Sequence, residues 1–595
     1  MPSSPVPSQN DLVSVEILSE GQAIPDTMQV RLVEVDRSLN RIPRATLEIL
    51  DGSPVESNFA ISESDTFKPG AQIEIKAGYH GETEPIFKGI VLGQSLRIRD
   101  GRHSFLEVTC APMAIKMTHG RKHAYFEQMK DSDIISQLLG NAGLSKEVEA
   151  TTYQYPMVVQ YQATDWDFMM TRAEANGMVV HVTDTKVEVK KPDVSGSPEL
   201  VIMYGRDMVG IKLDVDAREQ YGNVLTRSWD DSNMSMVEST SSEPSVNSQG
   251  NISGSNLAQV LGDPTYTWNT PATLPSEELK AWADARLLRA RLSRIQGTVT
   301  FQGSAKAKPN SLIELAGLGA RFNGNAFISG VRHVVKDANW VTHATLGLNQ
   351  AWLFEQHQDV DDPAASVVLP SIQGLQVGVV QQIQEDPDGR HRIKVQIPTI
   401  NTNESIWARM THLYATNNAG SFFLPELGDE VLVGFLNQDP RNPVILGMLY
   451  NGQKAPPYTA DEENTFKAFV SKNQLKIEFE DVKKILTLMT PAGNKIVMDE
   501  DQKTILIEDQ NGNKLEMAES GITMESPKDI NIKATGNISL EAQQGLTLKA
   551  TQDLSGEGMN VTLKGQTGFK AEGSATAELK AGGQTTVKGA MVMIN

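Results

Sequence analysis

Residues 521–570 read GITMESPKDINIKATGNISLEAQQGLTLKATQDLSGEGMNVTLKGQTGFK. Apolar residues come in pairs two apart, and the pairs return every eight residues: Ile522/Met524, Ile530/Ile532, Ile538/Leu540 and Leu546/Leu548. After Leu554/Gly556 the phase slips by one residue. Val561/Leu563, Phe569/Ala571, Ala577/Leu579, Thr585/Val587 and a final Met593 then carry it on. A spacing of two puts both side chains on one face of a strand. The remaining positions are Thr, Lys, Glu, Ser, Gln and Gly, which suit solvent and turns. A fixed period is the mark of a solenoid. An octad supplies one short strand, one turn and one narrow apolar stripe, which a single chain leaves wet. Three identical chains around an axis would cover it, each forming one face of a triangular prism. A calcium-binding β-helix needs a Gly- and Asp-rich nonapeptide, and a hexapeptide β-helix a period of six. The sequence fits neither, so an intertwined trimeric β-prism is expected.

Working outward, the 595 residues exceed what one core can organise, so several domains are expected. A formal net charge of −20 argues against a nucleic-acid binder, whose affinity comes from neutralising phosphates. It suits a solvated surface in a large assembly. Cys110 is the only cysteine, as in a chain folded in a reducing compartment. The opening MPSSPVPSQNDL has neither a basic n-region nor an apolar core, so no secretory signal is expected. No apolar run approaches the roughly 20 residues of a membrane helix.

Residues 1–370 are mixed, with strands dominant: VSVEIL, QIEIKAGY and IFKGIVLG alternate between Gly and Pro breaks. Three helices are predicted. Asp131 or Ser132 is expected to cap DSDIISQLLGNAGL. Thr164 is expected to cap DWDFMMTRAEAN, with Gly177 just past its end. Ser276 is expected to cap EELKAWADARLLRARLSR, with Leu279, Trp282, Ala283 and Leu287 as its apolar face. Val237 to Asn256, rich in Ser, Asn and Gly, reads as a mobile surface loop. Between residues 371 and 452 the strands VGVVQQI, HRIKVQI, WARMTHL, EVLVGFL and VILGMLY suit a small closed barrel of the oligonucleotide-binding (OB) type. Residues 453–470 read as a polar linker. Strand repeats resume at 471 in longer units and run into the octads to 595.

The block SFFLPELGDEVLVGFLNQDPRNPVILGMLYNG (residues 421–452) resembles the VgrG spike proteins of type VI secretion and related contractile injection systems. The phrase is carried by Pro425, Glu426, Gly428, Asp429, Glu430, Val431, Asp439, Pro440, Pro443, Val444, Gly447, Leu449, Tyr450 and Asn451. Upstream, DPDGRHRIKVQIP and WARM match the preceding barrel strands. QYQATDWDFMMTRAEANGM (160–178), GLGARFNGNAFISGVRH (317–333) and FKPGAQIEIKAGY (67–79) are similar to hub segments in the same order. The resemblance implies a mainly β protein. A trimeric hub of β-barrel-like domains with a few helices leads to an OB-fold barrel and a triple-stranded β-helix needle. It implies a structural spike that caps the inner tube of a contractile injection system and punctures the target envelope. It further implies manufacture in the cytoplasm, assembly in a baseplate and expulsion on contraction. Implied partners are two further copies of the chain, the inner tube protein and baseplate at the hub, possible effectors, and transiently the target membrane. Some relatives carry a lysozyme domain before the needle or an effector domain after it. The interval before residue 471 is too short for the first, and the octads leave no room for the second. A phage or pyocin-like tail spike binding a surface glycan is the alternative; such fibres end in an aromatic-rich tip, and this sequence ends in bare octads.

No residue pattern points to catalysis, cofactor or metal. Asp230 with Asp231, Asp359 with Asp361 and Asp362, and Asp499 with Glu500 and Asp501 lack motif spacing and lie in turn-like text. Glu426, Asp429 and Glu430 belong, in the family, to a turn and strand. His119 and His123 stand four apart, but the Gly between them reads as a turn. Gly428, Gly434 and Gly447 are expected in barrel strands, not in a phosphate-binding loop before a helix. The expected interior of the needle is Ile522, Met524, Ile530, Ile532, Ile538, Leu540, Leu546, Leu548, Val561 and Leu563. The apex, Val587, Met591, Val592, Met593, Ile594 and Asn595, offers apolar groups and open strand ends. It is expected to seat a separate tip protein of the PAAR-repeat kind.

Overall fold

The computed structural model describes residues 2–6, 12–99, 103–357, 360, 364–367 and 369–594. The chain divides into two units, residues 1–449 and 450–595.

The first unit is built on a 13-stranded sheet. Strand Val30–Ser38 pairs with Gly324–Lys336 in antiparallel register, Val33 facing Val335 and Val35 facing His333. That pairing joins an N-terminal half to a C-terminal half in one sheet. Each half has its own core. Val33, Val35, Leu47, Ile49, Ile73, Ile75, Phe67 and Phe87 fill the first. Ile202, Val299, Phe301, Ile313, Leu315, Ala326 and Leu346 fill the second. The alternation of buried and open positions along Arg44–Leu50 is what a strand with one covered face requires.

A helical layer inserts between the halves of the sequence. Helices α1 (Asp131–Asn141) and α2 (Asp165–Ala175) pack with the ribbon Lys122–Lys130/Gln154–Ala163 around Phe126, Ile134, Ile135, Leu139, Met169 and Met170. Thr164 caps α2 as predicted: its hydroxyl oxygen accepts from the Asp167 N–H at 3.0 Å. Gly177 follows at φ +68°, and a Cβ there would meet the Ala285 backbone at 3.3 Å. Two expected caps are not caps. Asp131 is the first residue of α1, and Lys130 holds the cap position without a side-chain bond. The Asp131 carboxylate is instead taken by Arg172, at 2.6 and 3.0 Å, and by Asn176 at 2.7 Å. A bidentate charge-assisted pair outcompetes a cap. Ser276 likewise begins α4 (Ser276–Leu292), and Pro275 stands in the cap position.

The segment Val237 to Asn256 is not a surface loop throughout. Ser235–Thr240 is a strand paired with Asn223–Asp230. Asn247 and Gln249 are buried, and helix α3 (Gly254–Val260) starts after Ser253 caps the Asn256 N–H at 3.0 Å. Arg294 donates to the backbone carbonyls of Asn247 and Gln249, and the Asn247 side-chain amide donates to the Asn325 carbonyl at 2.7 Å.

Strands Gln376–Gln382, Ile393–Gln396, Ile406–Met410, Pro443–Leu449 and Glu430–Phe435 close into a barrel. Closure comes from one parallel pairing, Arg409 opposite Val444 and Met410 opposite Ile445. Val380, Ile393, Val395, Ala408, Val431, Val433 and Ile445 fill the interior. An unforeseen small hairpin, Ala415–Thr416 with Ala419–Gly420, interrupts the barrel.

The second unit opens with seven strands in an antiparallel meander: Phe466–Val470, Lys476–Glu480, Ile485–Met489, Lys495–Asp499, Thr504–Glu508, Lys514–Ala518 and Gly521–Glu525. The expected linker 453–470 therefore ends inside the sheet. Tyr458 stacks on Phe466 at 5.0 Å, and its hydroxyl meets Glu478. Among the described residues no helix is long and apolar enough to cross a membrane.

Candidate functional site

The meander explains the longer repeat units. Lys476, Lys495 and Lys514 open equivalent strands nineteen residues apart, so the repeat is a whole hairpin. Strand registers then build two apolar columns on one face. The first runs Ile477, Leu488, Ile496, Ile507, Leu515, Met524. The second runs Phe479, Leu486, Met498, Ile505, Met517, Ile522. Glu478, Thr487, Val497, Leu506, Glu516 and Thr523 occupy the middle of the opposite face. One face of a five-residue strand thus presents two apolar side chains about 7 Å apart. Among the described residues none buries these columns: Phe479 is 40% exposed, Ile507 43% and Met498 46%. Sequence reasoning missed these columns. Their signal was the same pair spacing as in the octads, obscured by Ile485, Val497 and Leu506 on the other face.

Past Glu525 the in-chain ladder stops. Residues 527–594 are exposed throughout, and among the described residues they make no backbone–backbone hydrogen bond with one another. The backbone still keeps the period. Bends fall at 527, 535, 543, 551 and 559, then at 566, 574, 582 and 590. The one short interval coincides with the slip between Leu554 and Val561. Ile530, Ile532, Ile538, Leu540, Leu546, Leu548, Val561 and Leu563 are each at least half exposed. Ile522 and Met524, placed with them by sequence, belong to the last meander strand. Of the residues expected at the apex, Val587, Met591, Val592, Met593 and Ile594 are all exposed, and Asn595 lies outside the described residues. Unpaired extended backbone beside uncovered apolar groups is an unfinished structure.

The barrel phrase is a set of turn-building residues. Gly428, at φ +76°, donates to the Val380 carbonyl at 2.8 Å, and the Asp429 carbonyl accepts from Val380 at 2.9 Å. The Asp429 carboxylate accepts the Glu426 N–H at 2.8 Å, and Pro425 is buried beneath that turn's entry. Glu430 starts the strand opposite Val379 and Leu449. In the next turn Asp439 grips Arg441 at 2.6 Å, which holds its carboxyl down at about 2. Pro440 follows Asp439 in that turn. Pro443 opens the last barrel strand opposite Phe435, Gly447 faces Leu432 at a bulge, and Tyr450 is exposed.

The acidic clusters also serve turns. Asp230 accepts from Ser232 and Asn233, Asp231 from Thr273, and Asp499 from the Gln502 N–H. Asp359, Asp361 and Asp362 lie outside the described residues. His123 packs on the Tyr161 ring at 5.2 Å. Among the described residues, no three His, Cys, Asp or Glu side chains gather as metal ligands would. Burial pushes the Cys110 thiol up to about 12 and leaves it inert.

A closed barrel followed by an octad repeat that one chain leaves open is the build of a VgrG-like spike protein. Residues 9–337 match the family described as the Alg8 N-terminal domain, and the chain belongs to that family. Residues 376–450 match the type VI secretion system/phage-baseplate injector OB domain. Among curated proteins, the type VI secretion system spike protein VgrG1b of Pseudomonas aeruginosa is 25% identical over 64% of this chain and 53% of its own length. The spike protein VgrG1c of the same organism is 23% identical over 73% of this chain and 61% of its own. The chain thus spans between half and two thirds of these relatives. The 43 kDa tail protein of prophage MuSo2 from Shewanella oneidensis aligns with 57% of this chain and 99% of its own, at 11% identity and a TM-score of 0.42.

Proposed function

We propose that this chain is the hub-and-spike subunit of a contractile injection machine. Three copies cap the inner tube and drive a blunt β-prism through the target envelope. The observation that carries this reading is the apolar stripe. It begins at Phe469, opposite Ile477, crosses the meander in two columns and continues through the octads to Met593. Three narrow faces of this width close a triangular interior, and each chain supplies the neighbours that the others' strand edges lack. Covering the stripe removes many apolar side chains from water, each worth ~1.5 kcal/mol or more, against the entropy of ordering three chains. The reading assigns no catalytic role to the chain. The hub half would meet the tube and baseplate, effectors would travel with the complex, and a PAAR-like protein would seat on Val587 to Asn595.

Sedimentation of the purified full-length protein tests the core of this reading. The expected species has three times the chain mass of 65.0 kDa. A stable, monodisperse monomer would overturn it.

A further inference from the structure

Between strands Ile406–Met410 and Glu430–Phe435 the barrel carries an arm whose residues 411–420 are all exposed. Its hairpin is short. Ala415 faces Gly420, Thr416 faces Ala419, and the Ser421 N–H donates to the Tyr414 carbonyl at 2.8 Å. From 411 to 425 the sequence has no Asp, Glu, Lys or Arg. Leu413 is 91% exposed, Phe422 81% and Tyr414 60%. A lone two-stranded hairpin is marginal in water, and large apolar groups this open add to the cost of leaving it uncovered. The arm therefore needs a surface to lie on.

The same barrel presents an uncharged surface on its outer wall. Val377 stands opposite Leu432 on the outward face, because the neighbouring Val431 and Val433 fill the interior. Leu375 and Leu446 flank Gly434: a Cβ there would lie 3.4 Å from the first side chain and 3.5 Å from the second. Leu375, Val377 and Leu446 are themselves exposed, so the arm of the same chain leaves them uncovered. We propose that the arm of each copy lies across the wall formed by Leu375, Val377, Gly434 and Leu446 on the next copy's barrel. This rests on the three-copy reading above and adds a second interface to it. An arm meeting a wall is a head-to-tail contact, and such contacts close into a ring when the rotation allows. Three copies then use every arm and every wall. Chain continuity favours a second copy over an unrelated partner. The wall's last strand ends at Leu449, and only residues 450–465 intervene before Phe466–Val470, where the uncovered stripe begins. Copies joined along the stripe hold their barrels on short tethers, which raises the effective concentration of each arm at its neighbour's wall to about the millimolar range.

Full-length protein with p-benzoylphenylalanine in place of Phe422 tests the contact by photo-crosslinking. The expected product is an interchain link, seen as dimer and trimer bands on denaturing gels, with the linked peptide carrying residues 375–377 or Leu446. Leu446→Asp, at an exposed position, should cut the linked fraction several-fold while sedimentation still gives three chain masses. Undiminished linking in that variant would overturn the wall. A trimer that gives no interchain link, or one to residues 1–370, would overturn the arm contact and leave the three-copy reading standing. A monomer on sedimentation would overturn both.

Discussion

The Arg289 guanidinium meets the Glu174 carboxylate at 2.5 Å, with both side chains more than nine-tenths buried. The second Glu174 oxygen accepts the Leu353 N–H at 2.8 Å, and Arg289 Nε donates to the Asn349 carbonyl at 3.2 Å. One pair thus ties α2, α4 and the chain leaving the hub sheet. Removing one partner strands the other charge, so Arg289→Ala should cost about 3–5 kcal/mol. Joint replacement by Arg289→Met and Glu174→Leu should cost much less. Denaturant unfolding of the full-length variants checks this; equal losses would mean that the ion pair itself, not the stranded charge, sets the cost.

Leu506 and Ile507 are adjacent and both apolar, yet they lie on opposite faces of the meander. Ile507 stands in an apolar column, and Leu506 stands between Val497 and Glu516 on the other side. Ile507→Lys should abolish assembly of full-length protein, and Leu506→Lys should leave it near wild type. Ile532→Asp and Lys533→Asp form the corresponding pair in the octads. Chromatography with light scattering reads out both pairs. Indifference to which neighbour is changed would refute the face assignment.

His333 is fully enclosed, with Nδ1 3.1 Å from the Thr342 hydroxyl, and burial pulls its pKa down from 6.5 to about 3. Nearby Arg37 acts in the same direction. The folded-state value lies below the unfolded one, so acid protonates the unfolded chain first. Stability should fall as pH drops from about 6.5 towards about 3, by at most about 1.4 kcal/mol per pH unit from this group. The unfolding free energy of His333→Gln should lose that part of the slope. An unchanged slope in the variant would show that His333 does not govern it.

The apex prediction concerns partner binding alone. Deleting residues 586–595 removes Met591, Val592, Met593 and Ile594, all exposed, while most of the stripe remains. The truncated protein should stay assembled and lose a PAAR-like tip protein in pull-down. Retention at full affinity would place the tip elsewhere.

Much of this was legible before any coordinates. The five barrel strands and the octad phase follow from alternation and period, and both depend on short-range geometry. The Thr164 cap was legible for the same reason. What stayed hidden was fixed by distant partners. Asp131 looks like a cap until Arg172, on another helix, claims it. Asn247 and Gln249 look like loop until Arg294 reaches their carbonyls. The nineteen-residue hairpin period was masked because Val497 and Leu506 put apolar groups on both faces.

In the proposed trimer, the single short interval between the bends at 559 and 566 would act on alignment rather than strength. In the bundle of parallel chains proposed above, every octad but this one has the same length as the next. A strictly periodic sequence would let one chain slide along its neighbours by eight residues and still bury its stripe. The short interval makes every such slide mismatch at one level, so it works as a key that admits a single alignment. The antiparallel meander, which each chain can form unaided, would hold the three starting points level while the tails find that key. An insertion after Asn560 that restores the full period should yield assemblies with ragged ends in electron micrographs, although the stripe itself is intact.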